Sequence, residues 1–285
     1  MINTLKQLFV IARPISWLNT AYPFAAGYLV SGGALDATFI IGTLYFLGPY
    51  NLLMYGINDV FDYESDIRNP RKGGIEGAVA AKALHPTIIK AALLTNLPFV
   101  LVLIALGSPL SLLTLLAVLF FVVAYSAPRL RFKERPILDS ITSSIHFVGP
   151  LIFALTLVGW SPTAWLFVVA FFAWGMASHA FGAVQDIIPD REARLASIAT
   201  VLGARPTVLF SLVLYIISCG LIVAQGGLAV IVGLSGLIYV VNVARYVAVT
   251  DSTSDSTRPG WRRFIWMNFF VGFVVTMVLI ANQLS

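Results

Sequence analysis

Asn58-Asp59-Val60-Phe61-Asp62-Tyr63-Glu64-Ser65-Asp66 closes an apolar run that begins near residue 38. Asp59, Asp62 and Asp66 stand at i, i+3 and i+7, positions that share one face of a helix. Oxygens so placed suit a hard divalent cation such as Mg²⁺, which commonly takes one or two carboxylates together with phosphate oxygens. A second pair, Asp186 and Asp190, follows later in the chain, again where an apolar run meets a basic loop. Pro189 lies between them, so this pair is expected to straddle a helix end rather than sit on an unbroken helix. Two acidic clusters at the ends of apolar runs point to a metal-bridged diphosphate at the mouth of a membrane cavity. An EF-hand is excluded, because the first cluster lacks the loop glycine and the terminal Glu at the required spacing.

The composition fixes the surroundings of those acids. Of 285 residues, 59% are hydrophobic and only 11% charged, with a mean hydropathy of +0.89. A soluble domain of this size would carry roughly a quarter charged residues. The chain therefore reads as all-α, an integral membrane protein with one transmembrane domain over residues 1–285. Its single cysteine, Cys219, lies in an apolar run and excludes an intrachain disulfide or a multi-cysteine metal site; it reads as packing. The apolar run after Gln7 carries Arg13-Pro14 and no small-residue cleavage pattern before Ala25-Ala26-Gly27, so the first span is expected to stay in the membrane.

Nine segments of about 20 residues read as spans, near 15–33, 38–56, 86–106, 109–127, 138–158, 163–184, 206–225, 228–248 and 263–282. Helix-breaking turns separate alternate pairs at Ser31-Gly32-Gly33, Gly107-Ser108-Pro109, Gly159-Trp160-Ser161-Pro162 and Gln225-Gly226-Gly227. None of the 18 Lys and Arg residues falls in those turns. The bias of positive charge toward cytoplasmic loops then places the amino terminus and the longer loops in the cytoplasm, and Ser285 outside. Of 13 acidic residues, Asp36 alone is external. The net charge of +5 therefore reports topology and contact with anionic lipid, at Arg258, Arg262 and Arg263 for instance, and not nucleic acid.

Ionisable groups near membrane depth cost about 2.5 to 3.5 kcal/mol each on insertion scales, so their presence needs a reason. Cations must offset five carboxylates and a diphosphate. Basic groups stand close by in sequence: Arg13 before the first span, Arg68, Arg71 and Lys72 after the first cluster, and Arg129, Arg131 and Lys133 after Tyr125. A guanidinium matches phosphate oxygens with two parallel hydrogen bonds.

These residues resemble the membrane prenyltransferases of the UbiA type, whose signature NDxxDxxxD is complete at Asn58, Asp59, Asp62 and Asp66. The family's DxxxD element resembles Asp186 to Asp190, and its YxxxK element resembles Tyr125 with Arg129 in the Lys position. That departure leaves the phosphate role open between Arg129 and Lys133. The resemblance covers nearly the whole chain. It implies nine helices around a central cavity, Mg²⁺ held by Asp59, Asp62, Asp66, Asp186 and Asp190 as the catalytic acids, and diphosphate bound by Arg13, Asn58, Arg68, Lys72, Tyr125, Arg129 and Lys133.

Within the family, three stretches look most like lycopene elongases: Asn69-Pro70-Arg71-Lys72-Gly73-Gly74, the run from Tyr125 to Lys133, and the run from His179 to Glu192. Such an enzyme would join a five-carbon group from dimethylallyl diphosphate to each end of lycopene, an acceptor dissolved in the bilayer. The same site residues would serve a prenyltransferase with an aromatic, quinone-precursor or sugar-phosphate acceptor. A transporter fits less well, because transporters place charges near the bilayer centre and these acids end their spans. His146 and His179 are candidate bases or hydrogen-bonded packing residues. Phe61, Tyr63, Phe147, Trp174 and Phe181 are aromatic groups suited to facing a carbocation. The loop Gly73-Gly74-Ile75-Glu76-Gly77 reads as a cover for the donor or a plain connector.

Overall fold

The computed structural model describes residues 2–67, 80–160 and 164–284, and every regular element among them is helical. The chain forms two compact units, Met1–Phe132 with Ile145–Ser161, and Lys133–Ser144 with Pro162–Ser285. The first unit contains α1 (Ile2–Ile11), α2 (Leu18–Val30), α3 (Ala37–Leu47), α4 (Pro49–Phe61), α5 (Tyr63–Asp66), α6 (His85–Leu106), α7 (Pro109–Ser126) and most of α8 (Leu138–Val158). The second contains α9 (Ala164–Val184), α10 (Ile187–Glu192), α11 (Ile198–Leu202), α12 (Ala204–Val223), α13 (Ala229–Ser235), α14 (Leu237–Ala244) and α15 (Arg258–Leu284).

Aromatic rings fill the core of the first unit. Phe24, Tyr45, Phe46, Tyr50 and Phe153 are all fully buried, with Phe24 and Phe46 centred 5.2 Å apart. Gly42 makes room for this stack, since a Cβ there would come within 2.1 Å of the Phe24 ring. The span expected near 38–56 runs from Ala37 to Phe61 but is broken in its middle at Gly48-Pro49. Proline has no N–H and crowds the carbonyl four residues back, which frees backbone oxygens where no water can satisfy them. Buried side chains do so instead. Asn51 Nδ2 lies 2.8 Å from Phe46 O, 3.2 Å from Leu47 O and 2.7 Å from Thr20 Oγ1. The Thr20 hydroxyl donates to Phe46 O at 2.7 Å, and Asn96 Nδ2 donates to Pro49 O at 2.7 Å. At the start of α3, Asp36 accepts from the Phe39 amide at 2.9 Å, which holds its carboxyl below the usual carboxylate range.

The second unit has its own core, around Phe181, Ile187, Val208, Tyr215, Tyr239 and Val243. Tyr215 and Tyr239 stack at 5.3 Å, and Ser178 on α9 meets the Tyr215 hydroxyl on α12 at 2.9 Å. Cys219 is buried beside Gly236, where a Cβ would approach its sulfur to 2.9 Å, in agreement with the packing role expected for it.

Among the described residues seven helices are by themselves long and apolar enough to cross a membrane, and the other two expected spans are shorter. The expected span near 15–33 is shortened because Arg13 adopts a left-handed backbone (φ 52°) and Pro14 opens a separate 3-10 turn, which leaves α2 with 13 residues. The span near 228–248 is the shorter apolar stretch Ala229–Ala244, formed by α13 and α14 with Gly236 between them.

Substituting Asn51→Leu strips the broken span of its donor. It is expected to destabilise detergent-purified protein by on the order of 1–2 kcal/mol, the range of hydrogen bonds between membrane helices. A thermal midpoint equal to that of the parent would show that the carbonyls beside Pro49 are satisfied some other way.

Candidate active site

The backbone ladder continues through the acidic stretch. The Asp62 amide donates to Asn58 O and the Asp66 amide to Asp62 O, each at 2.9 Å, although Asp62 itself turns the chain between α4 and α5 (φ −101°, ψ 1°). The expected one-face arrangement therefore forms. Asp59, Asp62 and Asp66 are 2%, 3% and 8% exposed, whereas Phe61, Glu64 and Ile67 on the other faces are exposed. Glu64 pairs outward with Lys82 at 2.6 Å, an exposed bridge that contributes little.

Buried carboxylates cost several kcal/mol each unless charge and hydrogen bonds offset the lost hydration. Here guanidinium groups supply the charge. Arg13 Nη2 lies 2.6 Å from Asp59 Oδ1, and the same guanidinium sits 4.3 Å above the Tyr55 ring. Arg131 Nη2 lies 3.5 Å from Asp62 Oδ1. Asp62 Oδ2 accepts from Asn58 Nδ2 at 2.6 Å, and that amide nitrogen also lies 3.0 Å from Ser126 Oγ. Asn58, expected to touch diphosphate, thus holds the carboxylate beside it. Arg13, Arg129 and Arg131 all have positive φ (52°, 73° and 40°). Such conformations cost an L-residue about 1–3 kcal/mol.

Arg129 occupies the position that the family motif gives to lysine, yet it is exposed, and the guanidinium paired with Asp62 belongs to Arg131. The sequence counts Arg131 among the basic groups that offset the acids, but leaves the motif's phosphate role between Arg129 and Lys133. The backbone conformation of Arg131 decides its aim, and spacing carries no trace of that. Tyr125 ends α7 half-buried, its ring edge-on to His146 at 5.0 Å. Lys133 belongs to the second unit and is half-buried there. Arg68, Arg71, Lys72 and the loop Gly73 to Gly77 lie outside the described residues.

In the second unit α9 stops at Val184, and Asp186 stands at the head of the short helix α10 that carries Asp190. The Asp190 amide donates to Asp186 O at 2.9 Å, so the i, i+4 relation survives Pro189. The proline falls in the first turn of α10, where a missing N–H costs no intrahelical bond. The pair straddles a helix end, as expected, without losing its helical geometry. His146 is buried, with Nε2 3.4 Å from Phe121 O, and His179 Nδ1 lies 3.0 Å from Ser140 Oγ. Both have the partners of hydrogen-bonded packing residues. One carboxylate outside the motifs is also fully buried: Asp139 accepts from the amides of Ser140 and Ile198, each at 2.7 Å, and ties the start of α8 to the start of α11.

Among the described residues no three Asp, Glu, His or Cys side chains converge to form a complete metal cage. The donor set nonetheless fits Mg²⁺, which prefers one or two carboxylates and completes its shell with phosphate oxygens and water.

Seven apolar helices and a buried acid–guanidinium cluster where α4 ends define the class: a multi-pass helical membrane protein with a charged site. Residues 20–283 match the UbiA prenyltransferase family, and the chain belongs to that family. It is 48% identical over 283 residues, 99% of each chain, to the lycopene elongase/hydratase of Corynebacterium glutamicum. It is also 48% identical over 287 residues to a C(50) beta-cyclic carotenoids biosynthesis protein of Dietzia sp., covering 98% of this chain and 66% of that one. Among solved structures, a UbiA homolog from Archaeoglobus fulgidus bound to GPP and Mg²⁺ shares the fold, with a TM-score of 0.69 at 19% identity over 93% of this chain and 98% of that one.

Replacing Arg131 with Gln is expected to weaken binding of inorganic pyrophosphate with Mg²⁺ by about 10-fold or more, the worth of a lost charge-assisted hydrogen bond. Arg129→Gln should change it by no more than about two-fold, as for an exposed charge. Calorimetric titration of the purified variants measures both, and the reverse ranking would return the phosphate role to Arg129.

Proposed function

We propose that the chain is a Mg²⁺-dependent prenyltransferase of the cell membrane, with its amino terminus and site loops cytoplasmic. It moves a five-carbon group from dimethylallyl diphosphate to lycopene and releases diphosphate, on a route to fifty-carbon carotenoids. The observation that carries the reaction type is the set of three buried carboxylates on one helical face, two of them already met by guanidinium groups. The acceptor rests on the two relatives at 48% identity and on their carotenoid-directed names.

Asp59, Asp62 and Asp66 hold Mg²⁺ in this reading, and Asp186 and Asp190 do the same work in the second unit. When bound, the metal neutralises the donor diphosphate and stabilises the charge that develops on the leaving group. Arg13 and Arg131 pair with phosphate oxygens, and Asn58 keeps Asp62 in place through its 2.6 Å hydrogen bond. Of the other groups that the family resemblance assigns to the diphosphate, Arg68, Lys72, Tyr125 and Lys133 complete the set, and the exposed Arg129 contributes weakly at most. The bond from the allylic carbon to the diphosphate oxygen breaks with its electron pair on oxygen. The terminal double bond of the acceptor attacks the allylic cation, and loss of a proton from the coupled cation restores neutrality. Apolar helices around the acids exclude water that would otherwise trap the cation.

Expression in a bacterial host that accumulates lycopene tests the assignment. New pigments heavier by one or two five-carbon units are expected with the parent chain. They should be absent with Asp62→Ala at equal membrane abundance, and in membranes treated with chelator until Mg²⁺ is restored. Unchanged lycopene from an expressed, folded protein would move the acceptor to another isoprenoid or an aromatic ring, and product formation by Asp62→Ala would overturn the metal site.

A further inference from the structure

The second acidic pair stands on a helix of only six residues, Ile187–Glu192, too short to persist without outside support. Its far end is closed by the chain itself. The Leu195 amide donates to Asp190 O at 2.8 Å and the Arg194 amide to Arg191 O at 3.1 Å, with Arg194 left-handed at φ 57°. That is the bonding of a Schellman cap, formed here without the glycine that usually occupies the left-handed position. Ile187 anchors its first turn in the core of the second unit, and the residue after Asp190 ties the rest of α10 to its neighbours. Arg191 Nη1 meets Asp251 Oδ2 at 2.6 Å, while its Nε and Nη2 donate to Thr200 O at 3.2 Å and 2.8 Å. The other oxygen of Asp251 accepts the Ala204 amide, the first of α12, at 2.7 Å.

One ion pair thus ties three pieces of backbone: α10, the α11–α12 junction, and the 3-10 helix Asp251–Thr257. The junction is shaped to receive it. Gly203 turns there with φ +85°, and a Cβ would come within 3.0 Å of Asp251 Oδ1. The two side chains are 44% and 43% exposed, and pairs so exposed contribute about 0.2–1 kcal/mol to stability. The fold has little need of this bridge. Its geometric consequence is large, because Arg191 is the covalent neighbour of Asp190 and every nitrogen named above fixes where α10 lies.

We propose that Arg191 and Asp251 are positioning residues for Asp186 and Asp190, setting how well that pair grips a divalent cation and diphosphate from a contact outside both acidic motifs. This rests on the reading, given above, that Asp186 and Asp190 serve the metal and the donor.

The test uses the full chain in detergent, with Mg²⁺ and inorganic pyrophosphate as the probe and ligand-induced thermal stabilisation as the readout. Asp251→Asn keeps the shape and an oxygen for the Ala204 amide but removes the charge. It is expected to leave the ligand-free thermal midpoint within about 2 °C of the parent. It should raise the half-saturating pyrophosphate concentration about 10-fold, the low end of what outer-shell partners of metal ligands contribute. Arg191→Lys, which keeps the charge and loses the fork onto Thr200 O, should shift it in the same direction, and serves alone if Asp251→Asn fails to fold. Asp190→Asn should weaken binding by itself, and adding Asp251→Asn to it should change little more. If Asp190→Asn weakens binding while Asp251→Asn and Arg191→Lys bind like the parent, the positioning role is overturned and the acid pair stands. If Asp190→Asn binds like the parent, the role of the second pair falls and the proposal falls with it.

Discussion

Everything at the first acidic cluster follows from the cost of keeping carboxylates out of water. Asp59, Asp62 and Asp66 are all but hidden from solvent at the end of an apolar helix. Charges in that setting must find counter-charge or become neutral. Arg13 and Arg131 meet the need from two separate loops, each with a left-handed backbone at the arginine. Backbone hydrogen bonds hold both turns, from Arg13 N to Val10 O at 3.0 Å and from Arg131 N to Ala127 O at 3.1 Å, and the carboxylates add a charged partner at each arginine. Each pairs through a single nitrogen, and a guanidinium also has the fork of donors that fits phosphate.

The two acidic sets share a local construction, each within its own unit. In the first, α4 gives way at Asp62 to the four-residue helix α5; in the second, α9 gives way beyond Val184 to the six-residue helix α10. At both places the hydrogen-bond ladder is re-formed across the turn, from Asp62 N to Asn58 O and from Asp190 N to Asp186 O. A long helix that stops in this manner leaves backbone groups and side chains at its end open to a ligand. An uninterrupted span would carry its acids past one another along the membrane normal.

Much of this was legible in the residues because its physics is periodic. Three acids at i, i+3 and i+7 share a face whether or not neighbouring helices are known, and the apolar runs announce a membrane by their length. The single cysteine read correctly as packing. Other features depend on backbone states that spacing does not encode. Arg129 and Arg131 differ by two positions and both have positive φ, but only the fold reveals which guanidinium lies beside Asp62. Hydropathy averages over breaks, so two of the nine runs it marks fall short as single helices among the described residues. The 3-10 turn at Pro14 and the join at Gly236 shorten two of those runs with little change in mean polarity. The buried hydrogen bonds of Asn51, Thr20 and Asn96 are equally silent, since each answers a carbonyl beside the break at Gly48-Pro49 and not a pattern in its own stretch.

Donor and acceptor differ in the traces they leave for the same reason. A diphosphate is recognised by charge, and charge in a membrane protein is rare enough that every Asp and Arg near the site can be questioned individually. A hydrocarbon acceptor is recognised by shape, through apolar contacts that each discriminate by only about 1–3 kcal/mol per methylene. In a chain that is 59% hydrophobic, such contacts are indistinguishable from ordinary core and lipid-facing residues. Motifs therefore identify the reaction and are nearly blind to the substrate that receives the prenyl group. Agreement spread over the whole chain, which includes the apolar walls, carries the acceptor information that the motifs lack. That is why 48% identity across 99% of a relative bears on the acceptor, while 19% identity with a solved neighbour bears on the fold alone.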